Sequence, residues 1–388
     1  MKVAIVGPST RFLSGISYFT IRLSNALAEF AEVKAILFRE MLPKILFPGW
    51  KRVGKGLSSL KFGENVEVHE ILDWYNPLTW LKAVEIARKA DAVILEWWTS
   101  SVAHMYLAIE LLMGKKPIII EFHEVVDPFE HSILPIRAYS RVMGWAIREF
   151  AAHFVVHSEA DREIISRIYG IKREKIAVIP HGIYDHYEKL PKKEARATLG
   201  IKEDFVILFF GLLRPYKGVK YLLSAFERLP EEIAERSRLL IVGETWEDKE
   251  AVQLAMHSER RERISVVARY VSDAEAALFF SAADVLVVPY TRASQSGVAH
   301  IGMSFGMPII ASDVGGLRES LRKYAGTRFV QPRSVPSLRD ALVEVFEHRR
   351  EYEPPEDLRW ESVARKWCEL LTELKGKEKR GTEAKKEG

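Results

Sequence analysis

Arg214 and Lys217 stand in Gly211-Leu212-Leu213-Arg214-Pro215-Tyr216-Lys217-Gly218, directly after the apolar run Phe205–Phe210. Such a run reads as a buried strand, so both cations lie just beyond its carboxyl end, where open parallel sheets take anionic ligands. A guanidinium offers phosphate oxygens a planar pair of donors, and an ammonium adds a compact charge. Together they suit a diphosphate. Two solvated loop cations are the plain alternative. Against it, Gly218 closes the loop and Val219, Leu222, Leu223 and Phe226 follow with helical apolar spacing.

A second constellation is Ser294-Gln295-Ser296-Gly297, where Gly297 opens a helix whose free amides and positive dipole end can hold phosphate oxygens. Ser296 adds a hydroxyl donor and Gln295 a side-chain amide; helix capping by the serines is the competing and compatible role. In the amino-terminal half, Gly15 follows a first strand, and a glycine there lets backbone amides approach a ligand. His123 ends the strand-like Ile118-Ile-Ile-Glu-Phe-His-Glu124. It could hydrogen-bond a ligand hydroxyl, or be a satisfied structural histidine. Glu96 and Glu124 fall at neighbouring strand ends. Trp97 and Trp98 could stack on a ligand ring or fill the core.

Strands and amphipathic helices alternate from Val3–Gly7 through Val33–Phe38, Ala92–Glu96, Pro117–Phe122, His153–Ser158 and Ile176–Pro180. The rhythm restarts with Val206–Phe210, Leu239–Val242, Ile264–Val267, Val285–Pro289 and Pro308–Ser312. This βαβ pattern predicts an α/β protein with mostly parallel sheets. The 388 residues exceed one ordinary core. The expected division is residues 1–190, 191–355, a helix over 356–374 packing back on the first domain, and a charged, disordered tail over 375–388.

A formal charge of +4 with 28% charged residues gives no basis for nucleic-acid binding. Cys368, the sole cysteine, excludes an intrachain disulfide and a cysteine-rich metal site, which fits a reducing cytoplasm. The amino terminus reads as a first strand rather than a signal peptide, and no apolar run is long enough to span a bilayer. Between Arg39 and Lys61, six basic residues interleave with Leu42, Ile45, Leu46, Phe47 and Trp50. This suits an anionic membrane surface as well as a loop over an acceptor site.

Five ordered motifs carry a family resemblance: Phe210 to Gly218, Ile241-Val-Gly243, Tyr270-Val-Ser-Asp-Ala-Glu275, Ala282 to Pro289, and Ser294 to Glu319 with its Phe305-Gly-Met-Pro. In order and spacing they resemble the donor-binding half of family 4 glycosyltransferases, the group 1, retaining enzymes of GT-B architecture. A weaker likeness runs through Gly15, His123 and His153 to Gly182. The resemblance implies two Rossmann-like, doubly wound parallel-sheet domains facing each other across a cleft. It also implies transfer of a hexose from a nucleotide diphosphate sugar to a lipid-linked, glycan or polysaccharide acceptor, with no metal and no other cofactor. The catalytic residues would be His123, Arg214 and Lys217, with His123 on the transferred sugar or the incoming hydroxyl, Gln295 on a hexose hydroxyl, and Glu96 and Glu124 as carboxylates on the acceptor side. The donor would meet Gly15, Arg214, Lys217, Tyr270, Val271, Gln295, Ser296 and Gly297, with the nucleobase near Tyr270 and Val271. The family's usual glutamate pair falls on Ala293 and Ile301, so the donor loop is a variant. Other readings are an epimerase or phosphorylase of the same fold, or a nucleotide-sugar-binding homologue without turnover. A cytoplasmic protein is expected, with contact at the inner membrane face left open.

Overall fold

A computed structural model describes the chain except residues 13–14, 42–57, 115, 126–133, 247, 294–295 and 385–388; the side chains of Thr10 and of 377–384 are likewise not described. The chain forms two compact units. One comprises Met1–Gly56, Leu60–Gly182 and Asp357–Gly388; the other comprises Leu57–Ser59 and Ile183–Glu356. The crossing between units thus falls at Gly182 and Ile183, ahead of the position near residue 190 expected from the polar stretch.

The first unit holds a seven-stranded sheet in the order β3-β2-β1-β4-β5-β6-β7, parallel throughout. Its strands are β1 (Lys2–Pro8), β2 (Glu32–Glu40), β3 (Val66–Asp73), β4 (Ala92–Trp97), β5 (Ile118–Phe122), β6 (His153–Val156) and β7 (Ile176–Val178). Strands β4 and β5 are buried along their whole length, as a sheet covered on both faces requires. One face packs Val6, Leu95, Ile120 and Phe154 against the helices Pro77–Ala87 and Ala103–Met113. The other packs Ile5, Ile94 and Ile119 against the helix Gly15–Leu27 and, from the chain's far end, Trp360, Val363, Trp367 and Leu371. Each such side chain contributes roughly 1.5–3 kcal/mol by leaving water.

The helix carrying those last residues spans Trp360–Ala384. Its backbone is therefore helical across most of the stretch expected to be a disordered tail, where Lys and Glu are good helix formers.

The second unit holds a six-stranded parallel sheet ordered β10-β9-β8-β11-β12-β13. These are β8 (Phe205–Phe210), β9 (Ser237–Val242), β10 (Ile264–Val267), β11 (Val285–Val288), β12 (Ile309–Ser312) and β13 (Thr327–Val330). In each sheet the order of connection reverses once, between β1 and β4 and between β8 and β11. Parallel sheets open a crevice at such points, beyond the carboxyl ends of the strands. Glu96 lies near the end of β4 and Gly15 follows β1 in the first unit; in the second, Arg214 and Lys217 follow β8 and Ser296 follows β11.

Candidate active site

In the second unit, Gly211 leaves β8 at φ 116, and a Cβ there would stand 3.1 Å from Lys217 Nζ. Arg214 is extended, with its guanidinium carbon 4.8 Å from the Trp246 ring centroid. Pro215–Lys217 then makes one 3-10 turn, closed by Gly218 at φ 68. A Cβ on Gly218 would lie 2.1 Å from the Pro289 carbonyl oxygen. Only glycine fits, so the loop rests directly on the chain leaving β11.

That contact sets the geometry of Lys217. Its ammonium donates to the Tyr290 hydroxyl at 3.3 Å and lies 5.0 Å from the centroid of the same ring. Tyr290 is buried, and its oxygen also accepts from the Ser296 hydroxyl at 3.4 Å. Ser296 in turn caps the helix Gly297–Ser304, accepting from Ala299 N–H at 3.3 Å. The cationic loop after β8 and the helix amino terminus after β11 are thus joined through one phenol. Sequence reasoning passed over Tyr290, because nothing before folding shows that it lies between the two motifs.

Gly297 packs so closely that a Cβ would come 2.8 Å from the Tyr184 ring. Gln295 and Ser294 lie outside the described residues. Ile301 is buried on the same helix, and the Ala293 carbonyl sits where a Cβ on Gly315 would approach it to 2.3 Å.

Val271 is buried and Tyr270 half-buried. The acids beside them have structural duties. Ser272 and Glu275 form a reciprocal capping box on the helix Asp273–Ala282, and Arg269 pairs with Glu275 at 2.5 Å. The Arg269 guanidinium and the Ser272 amide hold Glu275 down at about 2. Asp273 accepts from Ser59 N–H at 2.9 Å.

In the first unit Gly15 is the exposed first residue of its helix. Gly7, near the end of β1, instead makes room for a carboxyl, since a Cβ there would lie 2.2 Å from Glu96 Oε2. Glu96 is fully buried, so the expectation of a carboxylate offered to an acceptor does not hold for it. Thr20 Oγ1 lies 2.6 Å from Glu96 Oε2 and 2.9 Å from the Ile16 carbonyl. A hydroxyl has one proton, which the carbonyl can only receive. A protonated Glu96 donating to Thr20 satisfies both contacts, and burial drives its carboxyl well above the ordinary range. Glu124 is exposed past the end of β5.

His123 stands one residue beyond β5, its N–H donating to the Trp97 carbonyl at 2.8 Å. Its ring meets Phe19 edge-on at 4.7 Å between centroids, and His157 and His181 pack on the same Phe19 at 5.4 and 4.7 Å. Burial pushes the His123 and His157 imidazoles below their usual range, the latter to about 4. Both are neutral at neutral pH and can accept as well as donate. Glu121, His123 and His157 bring ligand atoms within 4.8 Å of one another, the one such group among the described residues.

The models of two families match the chain: "Glycosyltransferase Family 4" over residues 14–186 and "Glycosyl transferases group 1" over 204–348. D-inositol 3-phosphate glycosyltransferase of Kineococcus radiotolerans is 32% identical over 192 residues, 47% of this chain and 44% of that protein. The aligned stretch is thus less than half the length of this curated relative. Among solved structures, sucrose-phosphate synthase of Thermosynechococcus elongatus aligns with a TM-score of 0.68 at 19% identity, covering 96% of this chain and 99% of that one. Anabaena HepE in complex with UDP-glucose aligns at 0.64 and 16%, covering 99% and 100%. Likeness at this identity shows the fold, and the two parallel-sheet α/β units are of the GT-B type. With both units matched in this way, the chain belongs to the group 1, family 4 glycosyltransferases.

Proposed function

We propose that the protein is a retaining glycosyltransferase that moves a hexose from a nucleotide diphosphate sugar to a lipid-linked, glycan or polysaccharide acceptor. The observation that carries this reading is the Lys217–Tyr290–Ser296 connection, which holds an ammonium and a helix amino terminus together at the β8/β11 switch point. A departing diphosphate develops negative charge as an oxocarbenium-like transition state forms. Arg214, Lys217 and the amides opening Gly297–Ser304 stabilise that charge from fixed positions. On this account transfer needs no metal. Gln295 holds a hexose hydroxyl, Tyr270 and Val271 receive the nucleobase, Gly15 lets backbone amides approach the diphosphate, and neutral His123 orients a sugar or acceptor hydroxyl. HepE and UDP-glucose make uridine diphosphate sugars the first donors to try. The enzyme would work in the cytoplasm, peripherally at the inner membrane face.

Replacing Lys217 or Arg214 by alanine should each lower turnover at least about a hundredfold while the thermal melt stays that of the wild type, because each removes one charge-stabilising donor. Wild-type rates in both variants would refute the reading. Nucleotide diphosphate released without acceptor, at the full rate, would favour another chemistry on the same fold.

A further inference from the structure

Glu121 and His157 take no part in the transfer chemistry, yet both are buried with polar atoms that lack hydrogen-bond partners. The unsatisfied atoms are both Glu121 carboxylate oxygens, His157 Nε2 and, beside them, His123 Nε2. Leaving such groups dry and unpaired costs about 1–3 kcal/mol each, so a structure that assembles four of them in one place implies an occupant.

Their orientation indicates what that occupant is. His157 Nδ1 lies 3.0 Å from the Ile179 carbonyl, which can only accept, so Nδ1 carries the proton and Nε2 presents a lone pair. That lone pair faces Glu121 Oε1 at 3.9 Å, too far for a hydrogen bond. A ring proton anchored on a backbone carbonyl, with the opposite nitrogen turned inward, is the usual posture of a metal-ligating histidine. Glu121 and His123 are two apart at the end of β5 and share a face. His157 follows β6, the strand hydrogen-bonded to β5.

We propose that Glu121, His123 and His157 bind one first-row divalent transition ion, zinc foremost, and that the bound ion withdraws His123 from sugar transfer. Two imidazoles and one carboxylate suit zinc or its neighbours rather than magnesium or calcium, which take oxygen ligands. Tetrahedral zinc at about 2.0–2.2 Å from each ligand sets the ligand atoms about 3.3–3.5 Å apart. Atoms now within 4.8 Å of each other need close by little more than an ångström. Three protein ligands leave a fourth position for water. The inhibitory half of the proposal rests on the assignment of His123 to the transfer site; the binding half does not.

The test uses untagged full-length protein, dialysed against zinc and assayed for metal content, with cobalt as a spectroscopic substitute. Wild type should hold one zinc per chain and give the intense visible bands of four-coordinate cobalt. Glu121→Gln, which keeps the shape of the side chain, and His157→Ala should each lose both. Circular dichroism and melting of the Glu121→Gln variant confirm that it folds. Zinc should slow wild-type transfer at least tenfold, reversibly with a chelator, while Glu121→Gln keeps its basal rate and resists zinc. No stoichiometric zinc, or equal zinc in wild type and Glu121→Gln, overturns the site and leaves buried water as the occupant. Stoichiometric zinc without inhibition overturns the control of His123 alone. Absence of any transfer activity would count against the proposed function, not against the site, which the cobalt spectrum reads separately.

Discussion

Tyr290 carries two roles in one side chain: its ring lies under the Lys217 ammonium, and its oxygen meets both Lys217 and Ser296. Tyr290→Phe separates them, keeping ring and packing while removing the hydroxyl. A hydrogen bond to a charged group is worth about 1.5–3 kcal/mol, so kcat/KM for the donor should fall on the order of tenfold to a hundredfold. Addition of Tyr290→Phe to Lys217→Ala should cost less than the two single losses combined, since the phenol acts through the lysine. An unchanged rate for Tyr290→Phe would show that the phenol does not position Lys217. Arg214, Lys217, Ser296 and Gly297 were legible in the sequence because a strand, a glycine stop and a helix start bracket them locally. Tyr290, Glu121 and His157 were not, since their significance arises from partners that only the parallel register brings alongside. Glu96 was legible as a strand end but misread: strand ends point at a crevice, yet the bare Gly7 of the neighbouring strand β1 leaves room for its carboxyl to lie buried beside Thr20.

At the level of elements, the helix Ala103–Met113 carries a titratable fault. Glu110 is 4% exposed, and neither carboxylate oxygen has a hydrogen-bond partner. Burial raises its carboxyl from 4.5 to about 9. Between those values the folded chain keeps the proton and the unfolded chain releases it. Stability from this group is therefore complete below the unfolded value and declines as pH rises toward the folded one, by up to about 1.4 kcal/mol per unit. Glu110→Gln removes the titration and keeps the volume, so its melting temperature should exceed that of wild type increasingly from pH 5 to pH 8. Parallel profiles would show that Glu110 is solvated. Strands β1, β2, β4 to β7 and β8 to β12 were readable because their residues run mostly apolar, in the edge strands β7 and β10 as well as in the covered ones. Strands β3 and β13 were not. Val66-Glu-Val-His-Glu70 and Thr327-Arg-Phe-Val330 sit at sheet edges, where polar residues face water and the hydrophobic signal is halved.

At the scale of the molecule, the remaining question is what the first unit's outer surface meets. Most of the stretch expected to dock on lipid, Arg39–Lys61, lies outside the described residues. The helix Leu134–Phe150 presents an independent surface: Ser140, Gly144 and Ile147 face inward, while Leu134, Val142 and Trp145 are 70%, 62% and 60% exposed. It packs beside Ala103–Met113, which packs beside Pro77–Ala87, and these add exposed Leu111, Leu78 and Leu81. Arg141 is exposed on the same helix. No described helix is long and apolar enough to cross a bilayer. The exposed apolar side chains beside Arg141 have the chemistry of a surface that lies on anionic lipid. Phosphatidylglycerol vesicles should therefore sediment the protein and phosphatidylcholine vesicles should not, with binding fading as salt rises because surface attraction is screened within about 10 Å at 0.1 M. Val142→Glu with Trp145→Glu should abolish sedimentation while activity on a short soluble acceptor survives. Reversing Lys51, Arg52 and Lys55 to glutamate tests the other stretch separately. Should the helix variant still sediment while the charge-reversed one does not, the docking surface lies in Arg39–Lys61. If the wild type leaves both vesicles in the supernatant and instead runs as a dimer that Trp145→Glu dissociates, the exposed face joins two copies of the chain and the acceptor is a soluble glycan.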